Sequence, residues 1–319
     1  MVLYDFLSSL SGWDPDDLWS IRELEQKIVN GGPVEENARR IFSFFTSSPR
    51  PLTSDKFLAR DPAGIGDLRL NQRGLHVARI VLANYAAQRY FRTGTPLLGD
   101  GLIVIPNFVD STDALALALS EIDQIADWRE ARAPGNEIKT STLQHVRNLV
   151  ASYVLAWVYP GAADVPNVLF RTSFVQKLRV DSEKFDEQTV LHSDTFFPAV
   201  KWWWFPRAVE LKHGPLIYVP GSPILTPALL QFYHEQAIDV CLGRVADWRG
   251  RGQREGSFRI SNDELERVKL WQRPVEVAAD TLVIANVFGF HARGRPLGTA
   301  ERVALHGSIR VDHPFKEAQ

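Results

Sequence analysis

The sequence predicts an α+β protein in which a helical N-terminal region precedes a β-rich sandwich, jelly roll or barrel. Two observations support this fold class. Amphipathic segments dominate the first third of the chain, and from residue 168 onward short strand-like segments alternate with glycine and proline turns. We place the boundary at residue 97, which gives a helical region over residues 1–97 and a β-rich domain over residues 98–319.

Helical signals begin at Asp14, which is followed by a proline and two acidic residues, as is typical of a helix N-terminus. Amphipathic spacing predicts further helices over residues 38–45 and 75–91, after Ser111, and over residues 143–158. The polar, glycine-containing stretch 129–140 is interpreted as a mobile loop.

Strands are predicted where β-branched and aromatic residues cluster between turn residues. A turn at Gly99 introduces the first of them, Leu-Ile-Val-Ile. The others are predicted over residues 169–180, 189–191, 200–205, 216–219, 275–278, 281–286 and 303–311.

Composition limits the kinds of site that the chain can build. With 36 basic and 38 acidic residues, the formal charge of −2 argues against a general affinity for nucleic acid. A single cysteine, Cys241, excludes an internal disulfide, a cysteine-rich zinc site and an iron–sulfur cluster. Any metal would therefore be held by nitrogen and oxygen ligands.

No segment is predicted to span a membrane. Residues 213–234 contain no Asp, Glu, Lys or Arg, but four prolines interrupt them, so they cannot form a spanning helix. The first residues lack the basic stretch of a signal peptide. We therefore expect a cytoplasmic protein, of an oligomeric state that the sequence leaves open.

Three residues are candidate metal ligands. His192 and Asp194 are two positions apart, so in an extended strand both side chains point to the same face. His291 ends a predicted buried strand and could supply the third ligand of a two-histidine, one-carboxylate triad. The alternative interpretation is structural, with a histidine at a strand end, an aspartate in a turn and a satisfied core histidine.

Arg302 opens the last predicted strand, eleven residues after His291. An arginine on the inner face of a barrel is costly unless an anion pairs with it. A small dicarboxylate bound to the metal would be such an anion, and an internal ion pair to an acidic residue is the alternative.

The chain resembles the phytanoyl-CoA dioxygenase-like branch of the iron(II)/2-oxoglutarate oxygenases over residues 98–315. Four segments in the family's order support the resemblance. They are Gly99-Asp-Gly-Leu-Ile-Val-Ile-Pro-Asn-Phe, His192-Ser-Asp, His213-Gly-Pro-Leu-Ile-Tyr-Val-Pro-Gly-Ser, and Asp280 to His291 with Arg302. One departure is Pro223, where the family usually has a histidine that is not a metal ligand.

The resemblance implies a double-stranded β-helix with iron(II) at its mouth. It implies that His192, Asp194 and His291 hold the iron and that Arg302 binds the distal carboxylate of 2-oxoglutarate, with dioxygen as the second co-substrate. An aspartate at position 194 disfavours halogenation, since halogenases of this type leave that ligand position to chloride. Hydroxylation, desaturation and cyclisation remain open, because all three use the same ligands.

Four further residues are candidates for lining the co-substrate pocket: Trp203, Lys201, Gln176 and Arg293. Trp203 and Lys201 share one face of a tryptophan-rich strand, although such aromatic runs also build cores. Gln176 could bind a carboxylate or have a structural role. Arg293 could reach the co-substrate or point to solvent.

The segment from Arg244 to Arg259 contains five arginines against two acidic residues. It is interpreted either as a site for an anionic substrate or as a solvated charged loop.

The leading hypothesis is therefore a dioxygenase that hydroxylates an unactivated C–H bond of a small metabolite, for which a lipid, acyl or sugar derivative would fit. Two alternatives stay open: a cupin-like metal hydrolase or isomerase with the same ligands, and a non-catalytic β-sandwich that binds carbohydrate on its tryptophans. Neither alternative needs an arginine that faces the metal.

Overall fold

The computed structural model describes residues 1–45, 68–109, 111–126, 128–130, 136–140, 143–162, 168–179, 186–244, 258–311 and 314–315. Five helices precede the first strand in these residues: α1 (Val2–Ser8), α2 (Pro15–Val29), α3 (Val34–Ser43), α4 (Leu68–Gln72) and α5 (Leu75–Gln88). Further along are α6 (Thr112–Asp123), α7 (Gln144–Tyr153), α8 (Pro227–Cys241) and α9 (Asn262–Arg267). Among the described residues, no helix is long and apolar enough to cross a membrane.

The strands of the described residues form two antiparallel sheets. They are β1 (Leu102–Pro106), β2 (Arg129–Glu130), β3 (Asn136–Thr140), β4 (Val168–Leu178), β5 (Val200–Phe205), β6 (Leu216–Tyr218), β7 (Arg273–Val275), β8 (Thr281–Asn286), β9 (His291–Arg293) and β10 (Arg302–Val311). The larger sheet has the order β1-β8-β5-β10-β4-β3-β2, and the smaller has the order β7-β6-β9.

From β4 onward the chain crosses repeatedly between the two sheets. It runs from β4 to a bridge at His192, back to β5, on to β6 and β7, back to β8, across to β9 and back to β10. The bridge at His192 extends the smaller sheet beyond β9. This alternation is that of a double-stranded β-helix, a jelly-roll sandwich whose two sheets enclose a space between them. The predicted fold class is confirmed.

The helix starts follow their sequence signals. Asp14 accepts a hydrogen bond from the Asp16 amide at the start of α2, and Ser111 does the same for the Ala114 amide in α6. These two contacts supply partners to backbone amides that the first helical turn leaves free. After α7, residues Val154–Val158 continue the predicted helix as a π-helical turn.

Two local predictions are wrong. The stretch 129–140, predicted as a loop, contains β2 and β3 where the structure describes it. Residues 189–191, predicted as a strand, do not form one: Thr189 ends a short 3-10 turn over Glu187–Thr189, which Asp186 caps.

Helix α8 was not predicted. It begins within residues 213–234, whose prolines exclude only a membrane-spanning helix, and its own proline, Pro227, occupies the first turn, where a helix tolerates one.

The N-terminal helices share a core with the β-rich part. Leu3, Phe42 and Ile80 belong to one buried cluster that also contains Phe196 and Phe288 from the sandwich. The Asn84 side chain in α5 donates a hydrogen bond to the Phe196 carbonyl, at 3.3 Å. The helices therefore pack behind the segment that carries Asp194. The division of the chain at residue 97 stays a prediction.

Glu25 connects three of these helices. Its carboxylate is fully buried and accepts hydrogen bonds from the Leu3 and Tyr4 amides and from the Tyr85 hydroxyl, at 2.8–3.0 Å. A buried carboxylate is stable only when donors surround it. Glu25 therefore holds α1 against α2 and α5.

His76 lies in the same core, and neither of its ring nitrogens has a hydrogen-bond partner among the described residues. Burial, with a smaller effect of Arg79, lowers its pKa well below the usual 6.5. The folded protein therefore keeps His76 neutral at a pH where the unfolded chain takes up a proton. The free energy of unfolding is therefore unaffected by His76 above about pH 6.5. As the pH falls below that value, it decreases by up to about 1.4 kcal/mol per pH unit, because the unfolded chain binds a proton that the folded protein does not.

We therefore expect His76→Phe to reduce the loss of unfolding free energy between pH 7 and pH 5, as measured by urea denaturation of the metal-free protein. The matched control is His145→Phe, since His145 is exposed on α7 and should leave the pH dependence unchanged. An unaltered pH dependence in His76→Phe would contradict the assignment of a neutral buried imidazole.

Candidate metal centre

A backbone pair brings the two predicted histidine ligands together. The His192 amide donates to the His291 carbonyl and the His291 amide donates to the His192 carbonyl, both at 2.9 Å. Residues that exchange both hydrogen bonds lie directly opposite each other and share a face. The two imidazole rings consequently lie side by side, with centroids 4.7 Å apart.

Asp194 adds the carboxylate from the same face, two positions after His192. Its Oδ1 lies 3.6 Å from His192 Nε2, and its Oδ2 lies 3.5 Å from His291 Nε2. One donor atom from each of the three side chains lies within 4.8 Å of the others, an arrangement that could hold a metal ion. The structure thus brings together the three residues named from the sequence.

Hydrogen bonds orient both imidazoles for ligation. His192 Nδ1 donates to the Val190 carbonyl at 2.8 Å, and His291 Nδ1 donates to the Gly289 carbonyl at 3.0 Å. With the proton held on Nδ1, each Nε2 directs a lone pair into the cluster, as metal-binding histidines require. Buried His192 Nε2 has no hydrogen-bond partner among the described residues, and a metal ion would supply one.

The charges of the cluster also fit a metal. Burial, followed by the neighbouring His291, lowers the pKa of His192 to about 3, so its imidazole is neutral at neutral pH. Burial opposes ionisation of Asp194, but the Lys201 ammonium and then His291 outweigh it and hold the pKa of that carboxyl well below its usual range. A neutral imidazole and an ionised carboxylate are the protonation states that bind a divalent metal.

The Pro-Gly-Ser segment of the sequence positions the strand that carries His291. Ser222 Oγ accepts a hydrogen bond from the Phe290 amide at 2.9 Å, and the Tyr218 hydroxyl donates to the Asn286 carbonyl at 2.7 Å. A Cβ atom at Gly289 would collide with the Tyr218 hydroxyl, so only glycine allows this approach. These contacts fix the turn that leads into β9.

A cavity of about 60 Å³ adjoins the cluster between the two sheets. Its walls come from β4, β5 and β10 on one side and from β6 and β9 on the other. They include Gln176, Lys201, Trp203, Phe205, Leu216, Ala292, Arg293, Arg302 and His306. The cavity that adjoins His192 and His291 is therefore lined by all the predicted pocket residues: Gln176, Lys201, Trp203, Arg293 and Arg302.

Arg302 lies in this cavity with 6% of its surface exposed. Its guanidinium donates to the Gly214 carbonyl and lies 5.9 Å from the centre of the Phe205 ring. Burial, followed by repulsion from Arg293, lowers the pKa of Arg302 to about 9, which leaves it cationic at neutral pH. No described carboxylate forms an ion pair with it, so its charge is unmatched.

The other arginine of the cavity has a partner. Arg293 Nη1 donates to Asp186 Oδ2 at 2.9 Å, and both side chains are nearly buried. Burial lowers the pKa of Arg293, whereas Asp186 raises it. Arg293 therefore lines the pocket, as one of its two interpretations required, but its charge is balanced within the protein.

The remaining predicted residues differ in their surroundings. Gln176 and Trp203 are each 7% exposed, and the Trp203 ring packs on His306 with centroids 5.0 Å apart. Lys201 forms an ion pair with Asp194, and its side chain is 25% exposed. Burial lowers the pKa of His306 to about 3, so this imidazole adds no charge to the pocket.

Sequence reasoning missed the short turn before the metal motif. Gln188 of this turn lines the cavity, and Asp186 at its start pairs with Arg293. The capping aspartate was a signal for the turn, but nothing in the sequence indicated which arginine it would meet.

The arginine-rich segment is only partly described, since residues 245–257 lie outside the described residues. At its start Arg244 lies 3.9 Å from Asp239, and at its end Arg259 is buried and donates to the Glu187 carbonyl at 2.8 Å. Arg259 thus supports the turn before the metal motif instead of facing solvent.

No protein-family model matches the chain, and no curated protein sequence matches it. Among solved structures it is similar to the non-heme α-ketoglutarate-dependent epimerase SnoN from nogalamycin biosynthesis, at 12% identity and a TM-score of 0.42, over 67% of this chain and 79% of that chain. It is also similar to HygX from Streptomyces hygroscopicus with nickel and 2-oxoglutarate bound, at 13% identity and a TM-score of 0.39, over 67% and 84%. A third is the non-heme α-ketoglutarate-dependent carbocyclase SnoK from nogalamycin biosynthesis, at 16% identity and a TM-score of 0.38, over 71% of this chain and 83% of that chain.

The cluster leads to a prediction about metal affinity. Asp194→Ala removes the only anionic donor, so we expect it to weaken Mn(II) binding at least about a hundredfold, since even losing an outer partner of a metal ligand costs 10–100-fold. Isothermal titration calorimetry at pH 7 measures the affinity. His145→Ala, which removes an exposed histidine on α7, should bind Mn(II) like the wild type. Equal affinity in wild type and Asp194→Ala would exclude this cluster as the metal site.

Proposed function

We propose that the chain is an iron(II)/2-oxoglutarate-dependent dioxygenase of the phytanoyl-CoA dioxygenase-like family, which hydroxylates an unactivated C–H bond of a small molecule. The observation that carries the proposal is the buried, unpaired guanidinium of Arg302 in the same cavity as the His192, Asp194 and His291 cluster. A metal site and a separate anion site in one small space are what a chelating dicarboxylate needs.

The charge of the site supports a dianion. A buried cation without an anionic partner is costly, and no described residue offers one to Arg302, which favours a bound anionic ligand. A divalent metal, the Asp194 carboxylate and the Arg302 guanidinium together carry two net positive charges. The two carboxylates of 2-oxoglutarate balance them, one at the metal and one at the arginine.

The residues present fit iron(II). Two imidazoles and one carboxylate on one face are the donor set of non-heme iron oxygenases, and they leave coordination positions open for co-substrates. The bound iron would supply the activation of dioxygen with 2-oxoglutarate as the reductant. The chain itself contributes binding, orientation and the exclusion of water.

The cavity walls have defined tasks under this proposal. Arg302 holds the distal carboxylate, and the Gly214 carbonyl orients its guanidinium. Trp203 covers the co-substrate with an apolar surface, and Gln176 offers an amide to a carboxylate oxygen. Arg293 stays paired with Asp186 and keeps the turn that contains Gln188 closed over the site.

The rival functions fit these observations less well. A hydrolase or isomerase that uses zinc or manganese on the same ligands needs no unmatched arginine in the cavity. A carbohydrate-binding sandwich would present neighbouring aromatic residues of one sheet at the surface. The three tryptophans of β5 are all buried, and the exposed Trp19, Trp157 and Trp271 lie in three separate parts of the chain, outside the strands. The fate of 2-oxoglutarate separates the dioxygenase from both.

Arg302→Met should weaken 2-oxoglutarate binding by about 2–5 kcal/mol, the usual cost of removing one partner of a buried charge pair, which is about thirtyfold or more in affinity. Calorimetry of 2-oxoglutarate binding to the Mn(II)-loaded protein measures this, and succinate formation with iron(II) under air measures turnover. Arg207→Met removes a half-exposed arginine that pairs with Asp123, and it should change neither the affinity for 2-oxoglutarate nor the formation of succinate. Wild-type protein that consumes no 2-oxoglutarate with iron(II), even without a substrate, would overturn the proposal.

A further inference from the structure

Lys201 is the third basic side chain that lines the cavity, after Arg302 and Arg293, and under the proposed function the co-substrate does not need its charge. It lies on β5, and its ammonium contacts Asp194 Oδ2, the oxygen that also faces His291. Among the described residues, Asp194 is its only ion-pair partner. A metal ion bound to Asp194 would neutralise this carboxylate and leave the positive charge of Lys201 without a counter-charge.

The remaining charges of the site are balanced without Lys201. Arg293 is neutralised by Asp186, and His306 is neutral. The metal, Asp194 and Arg302 together match the dianionic co-substrate. One positive charge therefore remains, and it belongs to the Lys201 ammonium, directly beside the metal position.

The opening of the site lies on the side of Lys201. The side chains of Lys201 and Asp194 are 25% and 22% exposed, whereas those of His192 and His291 are 4% and 5% exposed. Arg302 is buried, and it lies six residues along β10 from Ser308, the residue that pairs with Lys201, so it marks the other, closed end of the cavity. A substrate that enters after 2-oxoglutarate must therefore approach past Lys201.

We propose that Lys201 binds an anionic oxygen group, a carboxylate or a phosphate, of the primary substrate. The inference rests on the proposed function, because it assigns Arg302 to the co-substrate and the metal to Asp194. Since the ammonium contacts a metal ligand, the anionic group would lie beside the metal, and the oxidised carbon would be only a few bonds from it. The substrate class is therefore a small organic acid or phosphate ester with its reactive C–H near the anion.

Calorimetry of the complete site tests this, with small probes instead of the unknown substrate. Protein saturated with Mn(II) and 2-oxoglutarate is titrated at constant ionic strength with propanoate, with inorganic phosphate and with the neutral, isosteric propanamide. We expect at least one of the two anions to bind tenfold or more tightly than propanamide. Which anion binds tells a carboxylate from a phosphate group.

Variants connect the preference to the residue. Lys201→Met should abolish the preference for the anion, and Lys201→Arg, which keeps the charge, should retain most of it. Lys212→Met removes an exposed lysine that pairs with Glu210 and should behave as the wild type. An anion preference that persists in Lys201→Met would overturn the inference.

Failure of the inference and failure of the proposed function give different results. If 2-oxoglutarate binds the Mn(II)-loaded wild type and neither anion binds better than propanamide, Lys201 is not a substrate site and the dioxygenase proposal stands. If 2-oxoglutarate itself does not bind, the dioxygenase proposal fails first. Anion binding that disappears as 2-oxoglutarate is added would place the anion at Arg302 and would also overturn the inference.

Discussion

The reciprocal pair of backbone hydrogen bonds between His192 and His291 is the constraint on which the site depends. It joins two segments almost a hundred residues apart and forces their side chains onto one face. Once the two imidazoles are adjacent, the two-residue period of an extended chain brings Asp194 to the same point. Much of the surrounding structure maintains this pair: Ser222 holds the amide before His291, Arg259 holds the turn before His192, and the N-terminal helices pack behind the segment that follows Asp194.

Electrostatics then divide the cavity into two ends. The closed end contains Arg302, whose guanidinium meets only a carbonyl and an aromatic ring. The open end contains Lys201, whose only described ion-pair partner is the Asp194 carboxylate. Because isolated buried charges are unfavourable, Arg302, which has no carboxylate partner among the described residues, favours an anionic ligand at the closed end. Of the two arginines in the cavity, Arg293 has a carboxylate partner: Asp186 keeps it from adding a further unmatched charge beside Arg302.

The convergence of the three candidate ligands and the burial of Arg302 could be predicted, because each follows from a short local rule. His192 and Asp194 share a face because successive side chains of an extended strand point to opposite sides. Arg302 begins a strand, and a charged side chain on the inner face of that strand needs a partner of opposite charge. The contact of Lys201 with Asp194 could not be predicted, since it depends on the register of β5 against β8, where Lys201 pairs with Ala285 and the Asp194 amide donates to the Val287 carbonyl. The pairing of Asp186 with Arg293 likewise joins residues 107 positions apart. Helix α8 was not predicted, because its segment is rich in proline. Its own proline, Pro227, lies in the first turn, where a proline does not disrupt a helix.

The most direct test of the account is a crystal structure of the protein grown with Mn(II) and 2-oxoglutarate, in which anomalous scattering locates the metal. The account predicts an anomalous peak bonded to Nε2 of His192, Nε2 of His291 and a carboxylate oxygen of Asp194. It also predicts 2-oxoglutarate chelating that metal, with its distal carboxylate on the Arg302 guanidinium. A metal bound elsewhere, or 2-oxoglutarate that does not reach Arg302, would contradict it.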